Sequence, residues 1–421
     1  MTPRARERYD VVVVGGGAGG TAAAVAAARS GARTLLIERY GFLGGAATNS
    51  QVLAYCGFYL SGEQPVQAVH GIGGELLGQL RQLGVATDPV RSRGGRWIVM
   101  LESEPLKLAF DRLVLASRVE LSLHTLLVGA TVSGNRIEAL TLADHRGLRE
   151  VEAASFVDAS GEADLCARAG VPFTQPGGPG AQLQPGSLPV RLGGVPPDVE
   201  PDRARLAELV REHNARSPWK IERADGGVLL RLPQSRDFWW MAVDLVTDGI
   251  SAADQTRAET AAREAAHASL GMIRQLPGFE HAYLLASGPQ LGIRESRRPR
   301  SRGDMGADDG LAGRQRADGV GRAAWPLEIH EAPGRVRFMA LGGAGFFDLA
   351  PSALRADAID NLYLAGRVIG CDPQLYGSLR VMGTAFASGH AAGAAAALLA
   401  QGRQDDPGEL RRVLAAQGAL L

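Results

Sequence analysis

The sequence predicts an α/β fold in which a discontinuous Rossmann-like domain is interrupted by an inserted α+β domain. Three observations support this prediction. The chain has 421 residues, which is enough for two domains at roughly 100–200 residues each. A short β-branched run at 9–14 leads directly into a glycine-rich turn and an alanine-rich segment. A Pro/Gly-rich stretch at 176–180 precedes a block of amphipathic segments, which is typical of a domain boundary or a linker.

The first elements along the chain have the order strand, turn, helix, strand. Residues 9–14 predict a buried strand, because a short β-branched run without a polar face is typical of parallel sheets. Residues 21–30 are rich in alanine and are followed by Gly31, which predicts a helix that ends there. Residues 33–37 predict the second strand. This is the start of a Rossmann-like domain.

The turn between the first strand and the helix follows the pattern G-x-G-x-x-G. Gly15 makes the tight turn, Gly17 lets the backbone approach a pyrophosphate, and Gly20 lets the helix pack closely on the strand. The N-terminus of the helix offers unpaired N–H groups to the phosphate charge. The turn therefore predicts a dinucleotide-binding site, which also includes Ala18 and Gly19.

An acidic residue ends the second predicted strand. Glu38 lies 18 residues after Gly20, where a carboxylate is placed to accept hydrogen bonds from ribose hydroxyls. The same carboxylate would repel a 2′-phosphate, which disfavours NADP. It does not distinguish NAD from FAD.

The segments that follow are more numerous than a simple Rossmann domain needs. A glycine-punctuated loop at 39–48 follows Glu38. Further strands or strand-turns are predicted at 119–128, 136–142, 154–162 and 361–367, and a helix of small residues is predicted at 378–400.

This set of segments resembles the glutathione-reductase-like FAD fold, in the branch with succinate dehydrogenase and fumarate reductase. More narrowly, it resembles the bacterial FAD-dependent oxidoreductase family with the signature IERYGFLGG. The stretches that carry the resemblance are VVVVGGGAGGTAAAVAAARSGARTLLIERYGFLGGAAT, FVDASGEADLCARAG, LGIRESRR, AAWPLEIH and DNLYLAGRVIGCDPQLYGSLRVMGTAFASGHAAGAAAA. The predicted domains are an FAD-binding domain at 9–172 plus 331–402, a substrate domain at 173–330 and a C-terminal helical tail at 403–421.

The resemblance implies which residues hold FAD. In addition to the glycine turn and Glu38, it assigns to the cofactor site Arg39, Gly44, Gly45, Ala46, Thr48, Asp158, Ala159, Gly161, Glu162, Gly366, Arg367, Asp372, Ser378 and Leu379. Many relatives have Asp where this chain has Glu162. The helix from 378 would direct its positive N-terminus at the flavin pyrimidine ring and stabilise the anionic reduced flavin. The alternative for this segment is an ordinary packing helix.

The resemblance also bears on how FAD is attached and reoxidised. Members of the succinate dehydrogenase branch often carry a flavin-linked histidine after the glycine loop, but 45–49 contains none, so noncovalent FAD is expected. Cys371 is either a thioether candidate or a small buried residue. The glycines at 340–345 are not followed by a helix pattern, so a second nucleotide domain is not expected. Reoxidation would then use oxygen, an external acceptor or a second substrate.

The inserted block carries the first catalytic candidate. Residues 201–214 and 251–275 predict amphipathic helices, with Trp239 and Trp240 on a strand between them. Five arginines follow within the nine positions 294–302. The resemblance places Arg294 beside the flavin, where it can bind a substrate carboxylate or stabilise an oxyanion. The alternative is a structural ion pair with a neighbouring glutamate.

Three further residues complete the catalytic candidates. His330 on an alternating strand can remove an O–H or N–H proton as hydride leaves the substrate, and a structural histidine is the alternative. Tyr376 and Arg380 lie before or at the start of the predicted flavin-facing helix, whereas His390 is too far along it. No Ser-His-Asp order or metal-ligand spacing is present, so neither a hydrolase nor a metal site is expected.

Composition excludes several other classes. The 45 basic and 45 acidic side chains cancel, which argues against nucleic-acid binding. Three separated cysteines exclude a disulfide scaffold. The polar start and the short apolar run at 391–400 predict neither a signal peptide nor a membrane span. A cytoplasmic enzyme is expected, with an oligomer possible.

These observations together predict an FAD-dependent oxidoreductase, most simply a dehydrogenase or oxidase, that transfers a hydride between a small organic substrate and flavin N5. Two alternatives keep the flavin, namely a reductase with an outside electron donor and a non-redox flavoenzyme. A third is an NAD-binding module without flavin turnover.

Overall fold

A computed structural model describes residues 7–175, 183–403 and 406–421. In these ranges the helices are α1 (Ala18–Arg29), α2 (Ala46–Asn49), α3 (Ile72–Gln82), α4 (Ser103–Ala116), α5 (Asp164–Arg168), α6 (Arg203–Arg216), α7 (Ala252–Ile273), α8 (Ala307–Ala312), α9 (Tyr376–Leu379), α10 (Met382–Ala400) and α11 (Pro407–Ala416). The predicted linker at 176–180 lies outside the described residues.

The strands are β1 (Glu7–Val14), β2 (Thr34–Ile37), β3 (Ala54–Tyr55), β4 (Val90–Arg91), β5 (Trp97–Met100), β6 (Glu120–Ser122), β7 (Leu126–Ser133), β8 (Arg136–Asp144), β9 (Gly147–Asp158), β10 (Phe173–Thr174), β11 (Gly186–Gly193), β12 (Val228–Arg231), β13 (Phe238–Leu245), β14 (Tyr283–Ser287), β15 (Arg298–Pro299), β16 (Arg322–Ala323), β17 (Leu327–Ala332), β18 (Arg335–Met339), β19 (Phe347–Asp348) and β20 (Leu362–Leu364).

The main sheet has the order β6-β2-β1-β9-β8-β7, with β20 beside the end of β9. β1 runs parallel to β2 and to β9, so that Val14 lies opposite Ile37 and Asp158, and β20 brings Leu364 opposite Asp158. The carboxyl ends of four strands therefore meet at one edge, where parallel α/β sheets bind ligands. This arrangement confirms the predicted α/β class and Rossmann-like start.

Helices α1 and α10 pack against each other and against the main sheet. The backbones of the two helices can touch because α10 has glycine on the side that faces α1. A Cβ at Gly389 would overlap the Gly19 carbonyl, and one at Gly393, a turn later, would overlap the Ala23 carbonyl. The predicted small-residue helix thus packs directly on the helix that begins at the glycine turn.

A second hydrophobic cluster runs from Leu188 to Ile293 and is built on the antiparallel sheet β12-β13-β11-β14, with α6 and α7. These are the helices and the tryptophan-bearing strand that the sequence predicts. Later residues, including Met305 and Trp325, pack into the first cluster instead. The domain boundaries at 172, 330 and 402 stay predictions.

Two predicted elements are divided in the structure. The helix predicted at 378–400 is split into α9 and α10 by Arg380 and by Val381, whose backbone is extended. The strand predicted at 119–128 is split into β6 and β7, because the backbone N–H groups of His124 and Thr125 donate to the carbonyls of Tyr40 and Glu38. Tertiary contacts break both elements at the edge where the four strands end.

Among the helices of the described ranges, none combines the length and apolar character that crossing a membrane requires.

Candidate functional site

A cleft of about 270 Å³ lies at the carboxyl edge of the main sheet. Its walls include fourteen of the predicted cofactor residues and one predicted catalytic residue, which are Gly15, Gly17, Ala18, Gly19, Glu38, Arg39, Gly44, Gly45, Ala46, Ala159, Gly161, Glu162, Gly366, Arg367 and Arg380. The segments that supply them are far apart in sequence, and the sheet brings them together.

The glycine turn forms the floor of the cleft. Gly15 has φ +97°, and a Cβ there would lie 2.5 Å from the Ala159 carbonyl oxygen. A Cβ at Gly20 would overlap the Gly15 carbonyl, so Gly20 lies behind the wall and serves packing. At Gly17 the nearest atom to a Cβ would be 3.6 Å away, on Gly45. No described side chain caps the N-terminus of α1, which is where the sequence predicts the dinucleotide phosphates.

The glycine-punctuated loop forms the facing wall. The Gly44 N–H donates to the Gly16 carbonyl at 2.9 Å, and a Cβ at Gly45 would lie 2.8 Å from the Gly17 Cα. Thr48, predicted to contact the cofactor, lies behind this wall, where its Oγ1 donates to the Leu43 carbonyl at 2.6 Å. Two backbones at this separation form a narrow cradle that side chains would fill.

Glu38 is held at the tip of β2. Its carboxylate accepts from the backbone N–H groups of Gly16 at 2.7 Å and Tyr40 at 3.0 Å. Burial raises the pKa of this carboxyl, although these N–H groups act in the opposite direction. A carboxylate has about four acceptor positions, so positions remain for ribose hydroxyls.

Another side of the cleft contains an ion pair between Arg367 and Glu162. The Arg367 guanidinium donates to Glu162 Oε1 at 2.6 Å and to the Ile293 carbonyl at 2.8 Å. The second oxygen of Glu162 lies 3.8 Å from Arg39. A Cβ at Gly161 would overlap the Arg367 guanidinium, so glycine leaves room for this pair. Glu162 thus holds two arginines at the cleft.

Four other predicted cofactor residues do not line the cleft. Asp158 lies behind it and accepts from the Cys166 N–H at 2.8 Å. Asp372 accepts from the N–H groups of Ala307 and Leu375, both at 2.7 Å. Ser378 donates to the Trp325 carbonyl, and Leu379 is buried in the core. They support the walls from behind.

Asn49 is a cleft residue that was not predicted from the sequence. It lines the cleft, and its side-chain oxygen is buried without a hydrogen-bond partner among the described residues, while its Nδ2 donates to Gln290 Oε1 at 3.1 Å. A buried polar atom without a partner is unusual in proteins, and a bound ligand would satisfy this one. The chain pattern carried no signal for it, because Gln290 is distant in sequence. Together with the glycine cradle, this atom shows that the cleft suits a dinucleotide.

Arg380 connects the cleft to a buried polar cluster, defined here as Trp325, Glu328, His330 and Arg380. The Arg380 guanidinium lies 3.8 Å from Glu328 Oε1 and 3.4 Å from the Glu328 carbonyl oxygen. The Trp325 indole donates to Glu328 Oε2 at 2.7 Å, and His330 Nε2 lies 3.0 Å from Glu328 Oε1. One carboxylate therefore contacts all three other members.

The cluster sets the charge of its members. Burial and the positive charge of Arg294 lower the pKa of His330 to about 3, so its imidazole is neutral at neutral pH. Burial opposes ionisation of Glu328, but the hydrogen bond with His330 and the charge of Arg380 hold the pKa of its carboxyl well below the usual range. An ionised Glu328 only accepts, so His330 donates from Nε2. Its Nδ1 is buried without a partner among the described residues.

The other predicted catalytic residues support this region. Both terminal nitrogens of Arg294 lie 3.4 Å from Asp244 Oδ1, and Arg223 Nε lies 3.1 Å from Asp244 Oδ2. Burial lowers the pKa of Arg294 to about 10, which keeps it charged at neutral pH. The Tyr376 hydroxyl donates to the Arg294 carbonyl at 2.8 Å. Arg294 thus has an ion-pair partner, and this is Asp244 rather than the neighbouring glutamate.

The rest of the arginine run is also paired. Arg297, Arg298 and Arg302 form ion pairs with Asp164, Glu295 and Asp360, respectively. Cys371 and His390 are both buried and do not line the cleft, and His390 Nε2 lies 3.0 Å from Gln417 Oε1. The described residues contain no cluster of His, Cys, Asp and Glu suited to a metal ion.

Solved structures resemble this chain at low identity. The flavin-dependent brominase Bmp2 is 14% identical over 96% of this chain and 83% of its own, with a TM-score of 0.50. BexE, studied for oxidation during BE-7585A biosynthesis, is 13% identical over 97% of this chain and 66% of its own, with a TM-score of 0.51. A geranylgeranyl bacteriochlorophyll reductase-like protein from Thermoplasma acidophilum is 13% identical over 98% and 83%, with a TM-score of 0.45. At this identity the first two show a shared fold.

Among curated proteins, none matches this sequence significantly. A family model described as FAD dependent oxidoreductase matches residues 10–416. This match spans nearly the whole chain and includes every wall of the cleft. The protein therefore belongs to the FAD dependent oxidoreductase family, and it is an enzyme with FAD as its cofactor.

Proposed function

We propose that the enzyme is a dehydrogenase or oxidase that removes a hydride from a small organic substrate. The observation that carries this proposal is the buried cluster of Trp325, Glu328, His330 and Arg380, which adjoins the cofactor cleft through Arg380. When bound, FAD supplies the hydride acceptor at N5. The protein then has to bind the substrate, orient it and accept the proton that the oxidation releases.

His330 is the proposed proton acceptor. Its imidazole is neutral, and Nδ1 carries a lone pair that no described residue uses. Because loss of a hydride makes the substrate O–H or N–H group far more acidic, this atom can take its proton although burial keeps the imidazole weakly basic. Arg380 supplies a fixed positive charge next to it, suited to a substrate oxygen that becomes more negative. Arg294 and Tyr376 contribute by positioning, since their polar groups are already engaged with Asp244 and the main chain.

Several finer statements are part of the same proposal. FAD is bound noncovalently, the electron acceptor is oxygen or an external molecule, and the enzyme is cytoplasmic and free to oligomerise. It uses neither nucleic acid nor a membrane. It belongs near the succinate dehydrogenase and fumarate reductase branch. The alternatives are a reductase with an outside electron donor and a non-redox flavoenzyme.

Anaerobic bleaching of the flavin absorbance tests the direction of the reaction. The FAD-loaded protein is mixed with panels of small alcohols, amines and hydroxy acids, and we expect at least one to bleach it. Bleaching by nicotinamide nucleotides but by no member of the panel would instead support the reductase. A preparation that neither contains nor takes up FAD would contradict both.

A further inference from the structure

Glu328 holds the two predicted catalytic residues of the cluster in one arrangement. It lies on β17, two residues before His330, and contacts Arg380 in the break between α9 and α10. Each carboxylate oxygen has a donor of its own, because His330 Nε2 lies 3.0 Å from Oε1 and Trp325 Nε1 lies 2.7 Å from Oε2. Both oxygens are thus oriented by neighbours in the same segment, three residues before and two residues after Glu328.

The main chain around Glu328 is also held closely. A Cβ at Gly377 would overlap the Glu328 backbone, so α9 packs directly on this residue. Ser378 donates to the carbonyl of Trp325. The strand that bears Glu328 and the segment that bears Arg380 are therefore fixed to each other by a backbone contact and by one short serine side chain.

We propose that Glu328 is a positioning residue that fixes His330 as the Nε2–H tautomer and leaves Nδ1 as the proton acceptor. An ionised carboxylate can only accept a hydrogen bond, so the imidazole must place its hydrogen on the nitrogen that faces it. The other nitrogen then carries the free lone pair. This inference rests on the proposed role of His330 and adds the residue that makes that role possible.

Nitrogen-15 NMR of histidine in the FAD-loaded protein tests the proposal. The chain has eight histidines, and His330→Gln identifies the signals of His330. A nuclear Overhauser contact with the Trp325 indole N–H gives the same assignment independently, because both donors share one carboxylate. We expect a protonated Nε2 and an unprotonated Nδ1 in the wild type. A proton on Nδ1 would overturn the proposal without any variant.

The variant Glu328→Gln probes the cause. An amide is a weaker acceptor than a carboxylate and can also donate, so we expect the Nε2–H to exchange with solvent about tenfold faster and the Nδ1–H tautomer to become populated. Glu331→Gln on the same strand is the matched control, since Glu331 pairs with Arg335 and Arg337 and should leave the His330 signals unchanged. Unchanged exchange and tautomer in Glu328→Gln would also overturn the proposal.

Flavin content and anaerobic bleaching are recorded on the same samples. If Glu328 controls an Nε2–H tautomer but no substrate bleaches the flavin, the positioning role of Glu328 stands and the dehydrogenase is contradicted. If a substrate bleaches the flavin but His330 carries its proton on Nδ1, the dehydrogenase stands and the positioning role of Glu328 is contradicted. The two failures are thus distinguishable.

Discussion

At the scale of single residues, the cleft depends on a glycine that leaves space for a neighbouring side chain and on carboxylates that each pair with two arginines. Gly161 leaves room for the Arg367 guanidinium, and Glu162 holds Arg367 on one oxygen and Arg39 on the other. Asp244 plays the equivalent part behind the cleft, where it is shared by Arg294 and Arg223. Even a small substitution at one of these positions should therefore disturb several contacts at once.

Gly161→Ala should weaken FAD binding about tenfold or more, equivalent to about 1.4 kcal/mol. Gly161 has φ +86°, which costs an alanine about 1–2 kcal/mol, and the new methyl group would also displace Arg367. Gly147→Ala is the matched control, because Gly147 has φ +107° but open space around a Cβ. Fluorescence titration with FAD measures both. Equal affinities in the two variants would contradict the role given to Arg367.

Asp244→Asn should destabilise the fold by about 3–5 kcal/mol, because it leaves two arginines buried with a neutral partner. Urea unfolding measures this loss. Asp254→Asn is the control, since Asp254 pairs with the more exposed Arg257 at the surface. A loss as small as that of the control would show that the buried pair contributes little.

The same carboxylate predicts a pH dependence. Burial alone would raise the pKa of Asp244, but Arg294 and Arg223 outweigh burial and lower it. A pKa lowered in the folded state stabilises the fold above the unfolded pKa, and this part is lost as the pH falls through the folded value. The wild type should therefore lose stability in acid more steeply than Asp244→Asn. Parallel curves of unfolding free energy against pH would contradict this.

At the scale of elements, the closeness of α1 and α10 is what connects the glycine turn to the rest of the fold. The two helices meet through Gly389 and Gly393, and Gly19 in the first turn of α1 also lines the cleft. Packing and cofactor binding therefore share the same backbone. A change in α10 should be felt at the cleft, although α10 contributes only Met382 and Ala385 to its walls.

Gly389→Ala should lower stability by about 1–3 kcal/mol, the usual cost of overpacking, and should weaken FAD binding because Gly19 must move. Gly271→Ala in α7 is the control, since a Cβ there meets no atom within 4 Å. That substitution should stabilise the fold by about 0.5–1 kcal/mol. Thermal unfolding and FAD titration distinguish the two. A stabilised Gly389→Ala would refute the close packing.

At the scale of the whole molecule, the two hydrophobic clusters are joined beside the cofactor cleft. The Trp239 indole of the second sheet donates to the Gln51 carbonyl at 2.7 Å, just after α2. Glu102 accepts from the backbone N–H groups of Gln234 and Ser235 at 3.1 and 3.0 Å. The cleft wall itself includes Gln290 and Ile293 from the second region. FAD should therefore stabilise both clusters at once.

Removal of FAD should lower the unfolding temperature of both clusters together. At a hundredfold excess over the dissociation constant, a ligand contributes about 2.7 kcal/mol by mass action. Circular dichroism follows the helices of both regions, and tryptophan fluorescence also follows both, because Trp239 and Trp325 pack in the first cluster and Trp219 and Trp240 in the second. Two separate transitions in either signal, only one of which FAD shifts, would contradict the joint stabilisation.

Much of the fold and of the cofactor site was predictable from the sequence, because the sequence patterns that indicate them are local. The run from β1 through the glycine turn to Glu38 is continuous, and each residue has its role through its neighbours. The break at Arg380 and Val381 was not predictable, because no proline in 376–385 marks it. It exists because Gly377 and Gly383 pack on the backbones of Glu328 and Gly57.

The sequence by itself determined the α/β class, the βαβ start, the dinucleotide turn and the FAD family. The first three depend on strand and helix periodicity and on glycines at fixed spacing, which act over a few residues, whereas the FAD family was indicated by the resemblance of longer stretches to a known family. Only the tertiary structure decided that Asn49 faces the cleft, that Arg294 pairs with Asp244, and that Glu328 joins His330 to Arg380. The polar partner of a buried group depends on which segments the sheet and the helices bring together. The pair of Arg294 with Asp244 and the contact of Glu328 with Arg380 both join segments that are far apart in the chain.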